Sequence, residues 1–180
     1  MIAATKTWIR RFRDDCDGIA ATEFAMLAPI MILFYFGMAE ICQGFMAQKR
    51  TEHVASAVAD LVAQADSVST AELNDVFTVA TQIMKPFPST TLKQRITSVT
   101  VNAQGVAKVD WSANKGWTSR TAGSTVSLPS GLLANGESII MSEVEYAYAS
   151  PFDYVMPAST TFRKTSYLRP RTTTTVTKTS

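Results

Sequence analysis

The sequence is poor in the residues on which most catalytic and metal sites depend. Its 180 residues include one histidine, His53, and two cysteines, Cys16 and Cys42. With one histidine and no cysteine near it in sequence, we expect neither a Ser-His-Asp arrangement nor a zinc cluster. If the segment between the cysteines is helical, they lie about 39 Å apart at 1.5 Å per residue, which excludes a disulfide within one chain. We therefore expect no metal, and we expect His53 to be a solvated helix position.

The chain also lacks a basic folded body. Positions 46–162 carry eight basic and ten acidic residues, so this part is nearly neutral, without the basic face of a typical nucleic-acid reader. No Gly-rich phosphate loop follows a predicted strand. Glu143 and Glu145 alternate along one predicted strand and are expected on its solvent face. We therefore predict no enzymatic activity, no cofactor, no nucleic acid and no small-molecule substrate.

Charge is almost absent from one long segment near the N-terminus. Glu23 is the only charged residue between positions 19 and 39, and these 21 residues span about 31 Å as a helix, enough to cross a membrane. Pro29 lies within the segment and predicts a kink. Three arginines precede it and predict a cytoplasmic N-terminus: Arg10, Arg11 and Arg13. A cleaved secretory signal peptide is the competing interpretation, but its apolar core would run only about 7 to 15 residues.

After this segment the hydrophobic period first predicts helices. Positions 48–65 contain no Gly or Pro and carry one apolar stripe, which continues the first helix. Ser69 and Glu72 form a capping-box pattern that predicts the start of a second helix, and Pro86 and Pro88 predict its end. Glu40 lies near the outer edge of the predicted span, and we expect it to reach the membrane interface as an ordinary snorkelling acid.

From position 90 onward the period changes to two, which predicts strands. Residues 97–111 indicate a hairpin, residues 140–148 a strong strand, and Arg163 to Leu168 a shorter one. A Gly/Ser/Thr-rich loop at 113–136 separates the hairpin from the strong strand. The Thr-rich end of the chain has few core-forming residues, so disorder is predicted, although its β-branched residues allow addition to a sheet edge.

The predicted fold class is therefore α+β, with a long N-terminal helix, a second helix and a small antiparallel β-sheet. The domain boundaries are a cytoplasmic leader at 1–18, a transmembrane helix at 19–45, an α+β domain at 46–171 and a disordered tail at 172–180.

Gly18 is followed by Ile19-Ala20-Ala21-Thr22-Glu23-Phe24, so an acid stands at the fifth position after a glycine and an aromatic residue follows it. This pattern resembles the prepilin peptidase site of type IV pilins, in the Glu-aromatic form of the Flp pilins. The wider stretch RDDCDGIAATEFAMLAPIMI resembles the N-terminus of the TadE-like pilus-assembly family of the tight-adherence system. Near the other end, GESIIMSEVEYAYASPF and YLRPR resemble the acidic strand and the closing Arg-Pro-Arg of the same family.

The resemblance implies a non-enzymatic, pilin-like subunit in the bacterial inner membrane, with its C-terminal domain in the periplasm. It implies Gly18 and Ile19 as the processing site, with a prepilin peptidase, other pilin-like subunits and pilus-assembly platform proteins as partners. Glu23 and Phe24 would then set the register of one helix against another, because Glu23 lies four residues beyond the new amine of Ile19, on the same helix face. The alternatives are an uncleaved single-pass periplasmic scaffold and, more remotely, a secreted enzyme.

Overall fold

One helix dominates the computed structural model, which describes residues 17–151 and 155–179. Helix α1 runs over Asp17–Ala63, 47 residues or about 70 Å, and remains helical through Pro29. The predicted leader, with Arg10, Arg11, Arg13 and Cys16, lies almost entirely outside the described residues. The later elements are β1 (Ser67–Val68), α2 (Thr70–Ile83), β2 (Leu92–Val101), β3 (Ala107–Lys115), β4 (Ser138–Ala149), β5 (Ser159–Leu168) and β6 (Thr177–Lys178).

The two halves of α1 differ in what surrounds them. The side chains of the first half are exposed, and they are almost all apolar. From Gly37 onward a stripe of buried residues spaced three or four apart packs against the folded domain: Gly37, Glu40, Gly44, Ala47, Thr51, Val54, Val58 and Val62. The domain therefore contacts α1 from Gly37, eight residues before the predicted end of the transmembrane segment at position 45.

Helix α2 begins as the sequence predicts. The Ser69 side chain accepts a hydrogen bond from the backbone N–H of Glu72, whose carboxylate accepts one from the N–H of Ser69, so the capping box is confirmed. Leu73, Phe77 and Ala80 form its buried face. Arg50 on α1 donates through Nη1 to the carbonyl of Ile83 at 2.8 Å, so α1 satisfies one of the free carbonyls at the end of α2.

The sheet has four antiparallel strands in the order β3-β2-β4-β5. The predicted hairpin is β2–β3 and the predicted strong strand is β4, while β5 starts at Ser159, four residues before the predicted start at Arg163. The larger core cluster lies between α1, α2 and the sheet and includes Phe77, Ile96 and Val144. The α+β class predicted from the sequence is confirmed.

The predicted 113–136 loop covers an edge of this sheet. Its first three residues belong to β3, and the segment 121–126 then returns beside that strand. The N–H of Val109 donates to the carbonyl of Ser124 at 3.0 Å, and the N–H of Gly123 donates to the carbonyl of Val109 at 2.8 Å. Val126 is buried in a second apolar cluster with Val99 and Val109. The returning segment thus pairs with backbone groups that an edge strand would leave open to other chains.

The C-terminal tail corrects the prediction of disorder at 172–180. Residues Thr177–Lys178 form β6, which pairs in parallel with β1. Val176 is fully buried, and its carbonyl accepts a hydrogen bond at 2.7 Å from the indole Nε1–H of Trp111. One buried valine and one buried hydrogen bond hold a segment whose composition is otherwise polar. The hydrogen bond joins positions 65 residues apart and the β1–β6 pairing joins positions 110 apart, so no local pattern reveals them.

Candidate functional site

The N-terminal motif lies on the exposed first turns of α1. Gly18, Ile19, Glu23 and Phe24 are all exposed, and a Cβ placed on Gly18 would have no atom of another described part of the chain within 4 Å. Ile19 and Glu23 are one helical turn apart on one face, as predicted. The structure does not bring these residues into the folded domain. Pro29, farther along the same exposed half, also has no part in it.

Glu40 has a buried position in the domain that its sequence context does not indicate. It was predicted to reach the membrane interface, but its side chain is fully buried. The Ser150 hydroxyl donates to Oε1 of Glu40, and the backbone N–H of Val155 donates to Oε2 at 2.9 Å. Both donors belong to the β4–β5 connection. The prediction of a snorkelling acid is therefore wrong, because this connection folds over the helix and supplies donors to the carboxylate.

Two glycines make room for the same connection. A Cβ placed on Gly37 would lie 3.2 Å from Cγ2 of Val155, and one on Gly44 would lie 2.8 Å from Cε of Met156. A side chain at Gly44 would therefore displace Met156. Gly37, Glu40 and Gly44 lie on one face of α1, spaced three and four residues apart. We call these three residues the glycine–glutamate face. At this face the β4–β5 connection packs against the end of the exposed apolar part of α1.

The two tyrosines of the stretch EYAY, which belongs to β4, are core residues beside this face. Tyr146 and Tyr148 are buried, and the Tyr148 ring contacts Phe87 with ring centroids 5.9 Å apart. Burial raises the pKa of Tyr148, and the nearby charge of Glu40 raises it further. Tyr148 is therefore a neutral packing residue under ordinary conditions.

Glu143 and Glu145 are not the ordinary solvent-facing acids that the alternation predicts. Glu143 accepts two hydrogen bonds from Arg95 at 2.8 Å each and pairs with Arg120 at 3.0 Å. Glu145 pairs with Lys93 at 2.8 Å and with Arg163 at 2.6 Å. Cations on the neighbouring strands and the 113–136 loop bring these acids into ion pairs, which sequence alternation along one strand does not report.

The charge balance of Glu143 favours the ionised form. Burial of the carboxyl acts to raise its pKa, but hydrogen bonds and charges from Arg95 and Arg120 outweigh burial and hold that pKa below its ordinary value of 4.5. Arg120 belongs to the 113–136 loop, so this ion pair also fixes the loop to β4. The arrangement is that of a structural ion-pair cluster.

The closing Arg-Pro-Arg of the sequence ties the chain end to α1 and β4. Arg169 pairs with Glu137, one residue before β4, at 2.8 Å. The Arg171 guanidinium pairs with Asp60, and its backbone N–H donates to the carbonyl of Ala63 at 2.8 Å. Both arginines therefore have structural partners, and one of those partners lies at the far end of α1.

Comparison with known proteins agrees with the N-terminal motif. A family model described as TadE-like protein matches residues 18–60, from the glycine of the motif to the aspartate that pairs with Arg171. No curated protein and no solved structure matches the chain. The matched segment contains Glu23, Pro29 and the whole glycine–glutamate face. Residues 18–60, nearly all of α1, are thus similar to the TadE-like family, as the resemblance of the sequence to that family predicts.

Proposed function

We propose that this protein is a non-enzymatic, pilin-like subunit that takes part in assembly of a tight-adherence (Flp) pilus. The observation that carries the proposal is the motif at 18–24 at the head of an exposed apolar helix, within the segment that matches the TadE-like family. That helix continues without a break into a folded α+β domain. An exposed shaft and a compact head are the parts that a helix-packed pilus subunit needs.

In this proposal α1 is anchored in the bacterial inner membrane by its first half. The helix is long and apolar enough to cross a membrane. The arginines before it favour a cytoplasmic N-terminus, which puts the domain in the periplasm. A prepilin peptidase cuts after Gly18, and the partners are other pilin-like subunits and platform proteins.

An uncleaved single-pass scaffold of an envelope complex is the second candidate. Asp14, Asp15 and Asp17 crowd the position just before Gly18, where a basic leader favours cleavage. Both candidates share the anchor and the folded head, so processing of the N-terminus discriminates between them.

The discriminating experiment compares the mature N-terminus of wild type with that of Gly18→Lys, in cells that contain the peptidase. A lysine side chain cannot occupy a site shaped for glycine, so we expect the wild-type chain to begin at Ile19 and the variant to keep its leader. Ala4→Lys adds the same charge to the leader away from the site and is the control, which should be cut. The measurement is the intact mass of each purified chain. A wild-type chain that retains residues 1–18 would replace the pilin-like proposal by the scaffold.

A further inference from the structure

The ends of the β4–β5 connection lie along the apolar part of α1. Ser150 bonds to Glu40, and Val155 bonds to Glu40 through its backbone while its side chain contacts Gly37. Met156 lies beside Gly44, so these residues contact α1 between Gly37 and Gly44, within the predicted transmembrane segment at 19–45. We call residues 150–151 and 155–156 the loop ends.

The depth of Gly37 along the helix follows from the rise per residue. The hydrocarbon core of a bilayer is about 30 Å thick, which corresponds to about 20 helical residues at 1.5 Å each. If that core begins at Ile19, it ends near Ala39, and if it begins later, or if the helix tilts, it ends beyond Ala39. In each of these placements Gly37 and the side chain of Val155 beside it lie no farther out than the outer end of the hydrocarbon core. Exposed apolar side chains on α1 continue past this level to Phe45 and Met46.

The chemistry of the loop ends fits that depth. Val155 is apolar and remains 57% exposed although it lies beside Gly37. Glu40, an acid that would be costly in contact with lipid, is fully covered and receives hydrogen bonds from both loop ends. The loop ends therefore hide a charge and present an apolar surface at the same level of the helix.

We propose that the loop ends are a second membrane contact, in which Val155 inserts into the boundary between acyl chains and headgroups on the side of the membrane where the domain lies. The partner is the lipid bilayer itself. This inference rests on the proposed anchoring of α1. Its consequence is that the domain is held against the membrane surface by two attachments, the helix and the loop ends, which together restrict the tilt of the domain relative to the membrane.

The test places a polarity-sensitive fluorophore on single cysteines of the full chain, with Cys16 and Cys42 changed to serine. The chain is reconstituted in nanodiscs of phosphatidylcholine and phosphatidylglycerol that contain nitroxide-labelled lipid. Val155→Cys keeps the backbone N–H that Glu40 binds. Val106→Cys, a partly exposed valine beyond the far end of β2, is the matched control in the domain, and Leu33→Cys reports on the anchor.

We expect the label at position 155 to emit at shorter wavelength than the label at 106 and to lose emission when nitroxide lipid is present. Equal emission at 155 and 106, with quenching at 33, would overturn the membrane contact and leave the anchored subunit intact. A blue-shifted label at 155 that nitroxide lipid does not quench would overturn lipid as the partner and indicate a protein contact. An unquenched label at 33 would overturn the anchoring itself, and with it the proposed function.

Discussion

The ionisation of the Glu143 carboxyl depends on partners that are distant in sequence. Its partners Arg95 and Arg120 are 48 and 23 positions away. Burial disfavours the charged carboxylate, but the two guanidinium groups reverse that balance and lower its pKa. The ionised pair therefore contributes to stability above the ordinary pKa of the acid.

The lowered pKa of Glu143 predicts a pH dependence with a definite sign. Because the pKa is lower in the folded state, this contribution is fully present above about pH 4.5 and is lost as the pH falls through the folded-state pKa. Glu143→Gln should cost about 1 to 3 kcal/mol near neutral pH, since the arginines lose a charged partner. The cost should shrink in acid, where the wild type also loses the pair. Chemical denaturation of the full chain in detergent at several pH values measures both effects.

Glu52→Gln is the matched control for this experiment. Glu52 pairs with Lys49 on the exposed surface of α1, where such pairs contribute little. If Glu143→Gln and Glu52→Gln had the same small effect at every pH, Glu143 would not stabilise the fold.

The burial of Glu40 could not be predicted from the sequence. A lone acid at the edge of an apolar run predicts an interfacial side chain, and that prediction is wrong. The residues that bury it are 110 and 115 positions away, and one donor is a backbone N–H, which every non-proline residue carries. The sequence does show two glycines flanking Glu40 at helical spacing, but without the β4–β5 connection nothing identifies what they accommodate.

At the scale of elements, patterns within one segment predicted well and pairings between segments did not. The capping box placed the start of α2 correctly, and alternation placed the β2–β3 hairpin and β4. The return of the segment 121–126 beside β3 escaped prediction, because its pairing is set by backbone hydrogen bonds and by one buried valine. The tail escaped prediction for the same reason.

The tail contacts predict that residues 172–180 stabilise the domain. A chain that ends at Arg171 exposes the site of Val176 and leaves the indole N–H of Trp111 without its acceptor. Burial of a valine contributes about 1.5 kcal/mol or more, and an unmade buried hydrogen bond costs about 1 to 3 kcal/mol. We expect the truncated chain to unfold at lower temperature than the full chain, as followed by circular dichroism in detergent.

Thr172→Ala is the control for the truncation. Its side chain is exposed in the same segment, so its melting temperature should match that of the full chain. A truncated chain that also melted with the full chain would mean that the packed tail adds nothing to stability.

In the whole molecule, the two halves of α1 have different surroundings. The half from Gly37 onward is the support on which the domain folds, and the side chains of the half before it are mostly exposed. The overall arrangement was predictable because both halves have a simple hydrophobic pattern. The position along α1 at which the domain begins to contact the helix was not predictable, because it depends on the contacts of the glycine–glutamate face. The exposed half is left for contacts outside the chain, and Glu23 is its only acid from Ile19 to Phe36.

We predict that Glu23 links the exposed half of α1 to assembly. Alanine is an excellent helix former and removes a charge that is costly in lipid, so Glu23→Ala should insert in the membrane as well as wild type. If the carboxylate pairs with the amine of a processed subunit, the loss appears only when helices associate. We expect crosslinking to other pilus components and surface piliation to fall, while the cut after Gly18 persists. Glu23→Gln should fail nearly as badly, because an amide cannot neutralise an amine.

Thr22→Ala is the matched control, since it changes the neighbouring residue, whose hydroxyl bonds only to the helix carbonyl of Ile19 at 2.8 Å among the contacts of the described residues. It should pilate like wild type. Crosslinking yield and counts of piliated cells, measured at equal membrane levels of each variant, separate assembly from insertion. If Glu23→Ala and Glu23→Gln crosslink and pilate as Thr22→Ala does, the carboxylate does not register one helix against another. Glu23 would then be an ordinary acid close to the membrane edge, whose side chain extends from that depth to the interface.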